Sequence, residues 1–282
     1  MVSERIDAHM HLWQFSDVAD TWIGSRPAWS RDFTDVDYVP LMKAARISRA
    51  ILVQALESRS ETETMLALAE RHPWIAGVIG WIDLSAPDAM DEVERLAAAP
   101  RAVGMRNWPM IHRDPDWIAT KGLDTAFSAL AESRLCYDAL VKPENLTALR
   151  RRIDRTPGLR VCVNHCAYPL PEWPRNGAEE TSWTANMAAL ADMGCTVKLS
   201  GFGHKMNGAW QPEIYDNLVE QVLAMVPANQ VIWSSNWPTL LSECSFADWV
   251  EVSERWTGSL PDSARESIFG ATAKRFYGLA DL

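Results

Sequence analysis

Short β-branched or apolar runs alternate along this chain with longer segments of helical spacing, and this pattern most constrains the fold. The predicted strands are Arg5–His9, Ala50–Gln54, Ile75–Asp83, Ala102–Arg106, Cys136–Val141, Arg160–His165, Thr196–Ser200 and Gln230–Ser234. The predicted helices between them are Val39–Arg46, Glu61–His72, Pro87–Ala98, Gly122–Ser133, Pro143–Arg152, Trp183–Met193 and Pro212–Met225. Strands that alternate with helices predict parallel βαβ units and therefore an α/β protein.

Eight such strands favour closure into a single (β/α)8 TIM barrel over residues 1–282. A helical C-terminal extension is expected at Phe246–Trp256 and Ser263–Phe276. The alternative is a doubly wound open sheet, which would carry a glycine-rich phosphate turn after its first strand. The stretch IDAHMHLW has no glycine there. Barrel active sites lie at the carboxyl ends of the strands, where the loops Leu12–Asp37, Cys166–Ser182 and Gly201–Gln211 are long.

The composition excludes several classes of binding partner. The chain of 282 residues is 48% hydrophobic, which is enough for a full core, and its net charge is -10. It has no Lys/Arg cluster for nucleic acid and no apolar run of membrane-spanning length. The N-terminus lacks the features of a secretory signal, and the five scattered cysteines are typical of reduced thiols. We therefore expect a cytoplasmic protein that acts on a small molecule, and leave a homo-oligomer open.

Tryptophan is unusually abundant, with 14 residues. Several follow strand-like runs, namely Trp13, Trp22, Trp29, Trp108, Trp173, Trp210 and Trp237. Loop packing accounts for most of them, but a few are expected to wall a pocket for a ring-shaped substrate.

The stretch DAHMH suggests the first part of a site. Alternation along a strand would place Asp7, His9 and His11 on one face, turned toward the barrel interior. The outward face would then carry Ile6, Ala8 and Met10. Two imidazoles on one face can converge on a metal ion, although a structural pair of hydrogen-bonded histidines fits the pattern equally well.

Other polar residues stand where strands end. His165 closes strand 6, and Arg106 closes strand 4 with a planar fork suited to a carboxylate or hydroxyls, or to a surface ion pair. Further candidates for substrate binding are Gln54, Asp83, Trp108, Lys198, His204 and Trp237. After strand 8, SSNWP places Asn236 where many hydrolases have a carboxylate base, and an amide cannot act as a base near neutral pH.

Nine motifs occur in one order along the chain: HMHLW at 9–13, RDF at 31–33, VQA at 53–55, GWIDL at 80–84, MRN at 105–107, NHCAYP at 164–169, VKLSGFG at 197–203, SSNWP at 234–238 and FGATAKRFYGL at 269–279. With them the chain resembles the amidohydrolase-related barrels that include L-fuconolactonase, L-rhamnonolactonase and 2-pyrone-4,6-dicarboxylate lactonase. The resemblance implies hydrolysis of a lactone of a sugar acid or of a small carboxylated ring.

The resemblance also implies roles for single residues. His9 and His11 match the family's His-x-His on strand 1, and His165 matches the strand-6 histidine that binds metal or polarises the scissile carbonyl. Asn236 stands where the family has an aspartate, and Tyr168, a candidate for substrate binding, stands where the sugar lactonases often have a lysine. One divalent ion, Zn or Mn, held by His9, His11 and His165 is implied, or none, because metal use varies in the family.

Two other hypotheses remain at this stage. Asn236 would suit a non-hydrolytic reaction on the same scaffold, such as decarboxylation or lactone isomerisation. Alternatively, the chain is a binding protein, or an Asp-to-Asn variant of a lactonase that traps its substrate.

Overall fold

The computed structural model describes residues 4–202 and 210–280. Within these ranges it has one parallel eight-stranded sheet, hydrogen-bonded in chain order: β1 (Ile6–Met10), β2 (Arg49–Val53), β3 (Ile75–Gly80), β4 (Ala102–Met105), β5 (Cys136–Ala139), β6 (Val161–Val163), β7 (Thr196–Leu199) and β8 (Val231–Trp233). The predicted strands are confirmed, although all except β1 end before the predicted residue. The polar residues after them therefore lie on the rim.

Helices cover the outside of the sheet. They are α1 (Phe15–Val18), α2 (Asp35–Ala44), α3 (Arg59–Arg71), α4 (Ala89–Ala98), α5 (Asp124–Glu132), α6 (Leu146–Arg155), α7 (Ala178–Asp192), α8 (Asp216–Met225), α9 (Phe246–Thr257), α10 (Asp262–Glu266) and α11 (Thr272–Tyr277). The helices predicted between the strands are present with shifted ends, and the long loop predicted before α2 contains α1. None of the helices in the described ranges combines the length and apolar character that a membrane crossing needs.

The ring of strands closes just beyond β8. The backbone amide of Asn236 donates to the carbonyl of His9 at 2.8 Å, and the amide of His11 donates to the carbonyl of Trp237 at 2.7 Å. The protein is therefore a single (β/α)8 barrel of the α/β class, as the alternation predicts. The closure also fixes Asn236 beside the histidine pair of β1.

The face assignment predicted for β1 was wrong for Ile6, Asp7 and Ala8. Ile6 and Ala8 face inward, in one cluster with the inward residues of neighbouring strands, Ile51, Val53, Ile79, Val103, Cys136, Cys162 and Ile232. The pairing of β1 with β2 is irregular between Asp7 and Met10. This bulge interrupts the alternation, so His9 faces inward as well, while Asp7 faces away from the interior.

Asp7 instead joins three elements where the barrel closes. Its carboxyl group is fully buried and accepts hydrogen bonds from the amide of Ser235 at 2.9 Å, the hydroxyl of Tyr38 on α2 at 2.8 Å and the amide of His9 at 3.2 Å. The Ser235 hydroxyl also donates to it. Burial raises the pKa of Asp7, and these donors act against that rise.

The C-terminal extension closes the amino end of the barrel. It consists of α9, α10, a π-turn at Ser267–Ala271 and α11, which confirms the predicted helical tail. Ala273, Tyr277 and Leu279 pack against the inward residues of the strands. The chain passes so close to β1 that a Cβ atom on Gly270 would lie 1.9 Å from the carbonyl oxygen of Glu4. With this end filled, a ligand must enter from the carboxyl ends of the strands.

Replacement of Asp7 by alanine is expected to lower the free energy of unfolding by about 3 kcal/mol or more, because several buried donors lose their acceptor. Asp17→Ala on the exposed surface of α1 is the matched control and should change it by less than about 0.5 kcal/mol. Urea unfolding followed by circular dichroism measures both. Equal midpoints for the two variants would contradict the closing role of Asp7.

Candidate active site

A cavity of about 1010 Å³ opens at the carboxyl ends of the strands. Six of the predicted site residues line it: His11, Arg106, Trp108, His165, Tyr168 and Asn236. Each of them follows a strand, so the barrel brings together side chains that are far apart in sequence. The walls are largely apolar, which is typical of small-molecule sites.

Three more predicted residues, His9, Gln54 and Lys198, form the floor below this cavity, and none of them is exposed. The ammonium of Lys198 lies 3.2 Å from His9 Nδ1, His9 Nε2 lies 3.2 Å from His11 Nε2, and His11 Nδ1 lies 2.8 Å from the carbonyl oxygen of Val53.

The groups at the two ends of this row of contacts determine which imidazole nitrogens carry protons. An ammonium can only donate and a carbonyl oxygen can only accept. Lys198 therefore donates to His9 Nδ1, His9 donates through Nε2 to His11 Nε2, and His11 donates through Nδ1 to Val53. The assignment makes His11 Nε2 an acceptor. Burial and the charge of Arg106 lower the pKa of His11 to about 3, so this ring is neutral near pH 7.

Below Lys198 lies a carboxylate that the sequence analysis missed. Asp138 on β5 forms an ion pair with Lys198, and both side chains are fully buried. The Tyr277 hydroxyl of α11 donates to Asp138 at 3.0 Å. Asp138 lies within CYDALV, a run that otherwise has the pattern of an apolar strand. A single acidic residue in such a run was the only sequence signal for a buried carboxylate.

Arg106 is a buried cation that faces the cavity. One of its terminal nitrogens donates to the backbone carbonyl of Gln54, and Nε is buried without a hydrogen-bond partner. The other terminal nitrogen lies 3.3 Å from His9 Nε2, and because both nitrogens carry protons in the assignment above, this contact is not a hydrogen bond. Among the described residues no carboxylate forms a salt bridge with it. Burial lowers its pKa to about 10, which leaves it charged near pH 7. A buried charge of this kind is stabilised when an anion, or an oxygen that gains negative charge, binds beside it.

An unusual turn places His165. Strand β6 ends at Val163, and residues 165–168 all have positive φ, between 51° and 59°. Left-handed backbone is unfavourable for residues with a Cβ and is concentrated at functional sites. Gly201 packs against the ring so closely that a Cβ there would lie 2.5 Å from His165 Cγ. The ring is therefore held between its own turn and the loop after β7.

Two serines orient the His165 ring. Ser234 donates to the hydroxyl of Ser200 at 3.0 Å, and Ser200 lies 2.8 Å from His165 Nδ1. If each hydroxyl donates to the next group, the Ser200 proton goes to Nδ1 and the ring proton is on Nε2. With this proton on Nε2, His165 is a hydrogen-bond donor in the wall of the cavity.

Asn236 completes the group of polar residues. It is almost fully buried, has a φ of 59°, lines the cavity and hydrogen-bonds His11 through its side chain. The amide carries no negative charge. It can hold a water molecule beside His11 but cannot take a proton from it.

The three histidines implied as metal ligands do come together, with the His9 ring centroid 4.9 Å from that of His11 and 4.6 Å from that of His165. The described residues nevertheless contain no group of three or more His, Cys, Asp or Glu side chains arranged to hold a metal ion. Both nitrogens of His9 are engaged, and Lys198 and Arg106 place two positive charges against this ring. This donor set does not fit a divalent cation.

Two predicted substrate-binding residues lie outside the cavity. Asp83 is exposed and accepts hydrogen bonds from the amide and hydroxyl of Ser85, because β3 ends three residues before it. Trp237 is buried against Phe33 and Tyr38, on the α2 side of the closing turn. Both predictions were therefore wrong about location. His204 lies in 203–209, outside the described residues.

Of the tryptophans that follow strand-like runs, Trp22, Trp29, Trp108 and Trp173 line the cavity. Trp13 packs on Phe33, and Trp210 packs on Trp249. The predicted aromatic pocket wall is therefore present, and it is built from a subset of these residues.

Comparisons with known proteins identify the family and relatives of similar sequence and fold. The family model described as Amidohydrolase matches residues 6–279. The L-fucono-1,5-lactonase of Burkholderia ambifaria is 32% identical over 97% of this chain and 95% of its own length. That of Burkholderia multivorans is 28% identical over 98% and 97%. A crystal structure of a Burkholderia multivorans amidohydrolase with bound zinc superposes with a TM-score of 0.89 at 25% identity, covering 99% of this chain and 100% of that one.

Replacement of Asp138 by asparagine should leave the Lys198 cation unpaired in the core and lower the free energy of unfolding by about 3 kcal/mol or more. Asp154→Asn on the exposed side of α6 makes the same chemical change without burial and serves as the control. Denaturant titration measures both variants. An Asp138→Asn protein as stable as the control would show that the pair does not hold the floor of the site.

Proposed function

The chain belongs to the amidohydrolase family, and from this premise we propose that it hydrolyses a lactone, the cyclic ester of a sugar acid or of a small carboxylated ring. One observation carries the proposal: a buried, unpaired guanidinium, a donor imidazole and an acceptor imidazole meet at one cavity. The two curated relatives described above are both lactonases. No finding on the site favours decarboxylation or isomerisation instead.

The carbonyl oxygen of the lactone binds between Arg106 and His165. As water adds to the carbonyl carbon, negative charge develops on this oxygen, and the free Nε–H of Arg106 and the Nε2–H of His165 donate to it. Donors that are already fixed in a buried site stabilise such charge strongly, because they do not reorganise during the reaction.

His11 accepts the proton of the attacking water, which the amide of Asn236 holds beside it. The low pKa of His11 keeps its Nε2 unprotonated near pH 7, and this nitrogen exchanges the hydrogen bond from His9 Nε2 for one from the attacking water. The same low pKa makes the ring a weak base. The charge of Arg106 contributes to that low pKa, so an oxyanion on Arg106 offsets the effect as it forms. Proton transfer and oxyanion formation are thus coupled through Arg106.

Ring opening completes the reaction. The tetrahedral intermediate expels the ring oxygen, which takes the proton from His11 and becomes the hydroxyl of the product. The water oxygen remains in the new carboxyl group, and its second proton is released when this group ionises. The product carboxylate stays beside Arg106 until it leaves. Every step uses side chains of this chain.

A panel of aldonolactones and carboxylated lactones tests the activity. Arg106→Met should lower kcat/KM for the best of them by roughly 10²–10³-fold, as expected for loss of an oxyanion donor. Arg151→Met is the control, since Arg151 is an exposed partner of Asp116 and the same change should leave turnover unaltered. No turnover of any lactone by either the wild type or Asn236→Asp would contradict the proposal.

Zinc affinity tests the conclusion that the reaction proceeds without a bound metal ion. Asn236→Asp adds an anionic oxygen beside His11 and is expected to bind zinc roughly tenfold or more tightly than the wild type, because carboxylates are good zinc ligands. Competition with a chromophoric chelator, using protein purified without a histidine tag, measures both affinities. One equivalent of zinc retained by the wild type against the chelator would contradict this conclusion.

A further inference from the structure

The cavity is much larger than a monocyclic lactone requires. Its volume of about 1010 Å³ lies at the upper end of the range of about 300–1,000 Å³ that suits drug-sized ligands. A hexonolactone has only about a dozen non-hydrogen atoms, and the catalytic groups bind it at the floor. The outer part of the cavity is therefore left for another part of the substrate.

Three indoles form one wall of this outer part. Trp22 lies edge-to-face against Trp29, with ring centroids 5.3 Å apart, and against Trp108, with centroids 6.1 Å apart. Trp22 and Trp29 come from the loop after β1, whereas Trp108 follows β4. We call these three residues the indole wall.

Hydrogen bonds fix the orientation of two of these rings. The indole nitrogen of Trp22 donates to the carbonyl of Ala55 at 2.9 Å, and that of Trp29 donates to the carbonyl of Thr239 at 3.0 Å. With its polar atom engaged by the backbone, the partly buried ring of Trp22 offers carbon surface to the cavity, whereas Trp29 is only 3% exposed and packs against Trp22. The guanidinium of Arg26 lies 5.1 Å from the ring centroid of Trp29 and covers part of it.

Apolar side chains outside the indole wall line the cavity as well. They include Leu140, Trp173 and Ile111, and Ile111 is 57% exposed. A substrate group with an apolar face that covers such surface removes both from water, and a ring offers a flat face of this kind.

We propose that the indole wall is a second subsite, which binds a ring with an apolar face joined to the lactone. The ring is either an aryl group or a sugar that presents its C–H face, since both offer the same apolar surface to an indole. The identity of the reacting group rests on the proposed lactonase function, whereas the subsite rests on the geometry of the indole wall.

Paired substrates test the subsite. The pairs are δ-valerolactone with 6-phenyl-δ-valerolactone, and glucono-1,5-lactone with cellobiono-1,5-lactone. In at least one pair, wild-type kcat/KM for the two-ring member is expected to exceed that for the one-ring member by roughly tenfold, since each aromatic contact contributes about 2–10-fold. The pair with the larger ratio identifies the ring as aryl or sugar.

Variants of Trp22, the central indole, then test whether the preference for two-ring substrates arises at the indole wall. Trp22→Leu should lower this ratio severalfold, whereas Trp22→Phe, which keeps an aromatic face, should retain most of it. Trp74→Leu is the matched control: Trp74 is also partly buried but lies before β3, packed on Tyr38, and its loss should leave the ratio unchanged. No preference in either pair, or an equal loss in Trp22→Leu and Trp74→Leu, would overturn the proposal.

A binding experiment separates this inference from the proposed function. The lactams 2-piperidinone and 6-phenyl-2-piperidinone have the shape of the first pair but resist hydrolysis, and calorimetry measures their affinities directly. If no lactone is hydrolysed, tighter binding of the phenyl lactam by wild type than by Trp22→Leu still upholds the subsite. Equal binding of the two lactams together with no preference for cellobionolactone overturns it, even if lactones are turned over.

Discussion

The buried ion pair between Lys198 and Asp138 is the interaction on which the site depends. It places a positive charge under His9, and because an ammonium can only donate, it determines which nitrogen of His9 carries the proton. His9 in turn determines the state of His11, whose other nitrogen is fixed by the carbonyl of Val53. One pair in the barrel interior thus sets the acceptor that faces the cavity, and its positive member disfavours a dication nearby.

The interior of the barrel is consequently divided into two zones. Toward the amino end it is filled by apolar residues and the C-terminal helix, which exclude water. Toward the carboxyl end it carries buried polar groups at His9, Arg106 and His165. The excess positive charge there is unfavourable in the empty protein, and a substrate that develops negative charge relieves it. A site that stabilises an oxyanion well therefore has an unfavourable electrostatic energy when no oxyanion is bound.

The sequence predicts the barrel and the meeting of His9, His11, His165, Arg106 and Asn236 because alternation and strand-end position depend on residue types that can be read directly. It fails where local backbone geometry decides. Because the pairing of β1 is irregular, Asp7 faces away from the barrel interior. Because β3 ends early, Asp83 lies on the surface. The closing turn places Trp237 on the α2 side, packed on Tyr38. Asp138 escaped notice because its partners, Lys198 and Tyr277, are brought to it only by the closed ring.

The position of Tyr277 has a consequence for how the chain is made. Its hydroxyl reaches Asp138 from α11, and the two residues are 139 positions apart in the chain. During synthesis β5 and β7 leave the ribosome before α11, so Asp138 and Lys198 can pair before the hydroxyl of Tyr277 reaches them. Maturation of the catalytic centre thus waits for α11, and a polypeptide that stops before this helix would carry nearly all of its active-site side chains in a barrel open to water from below.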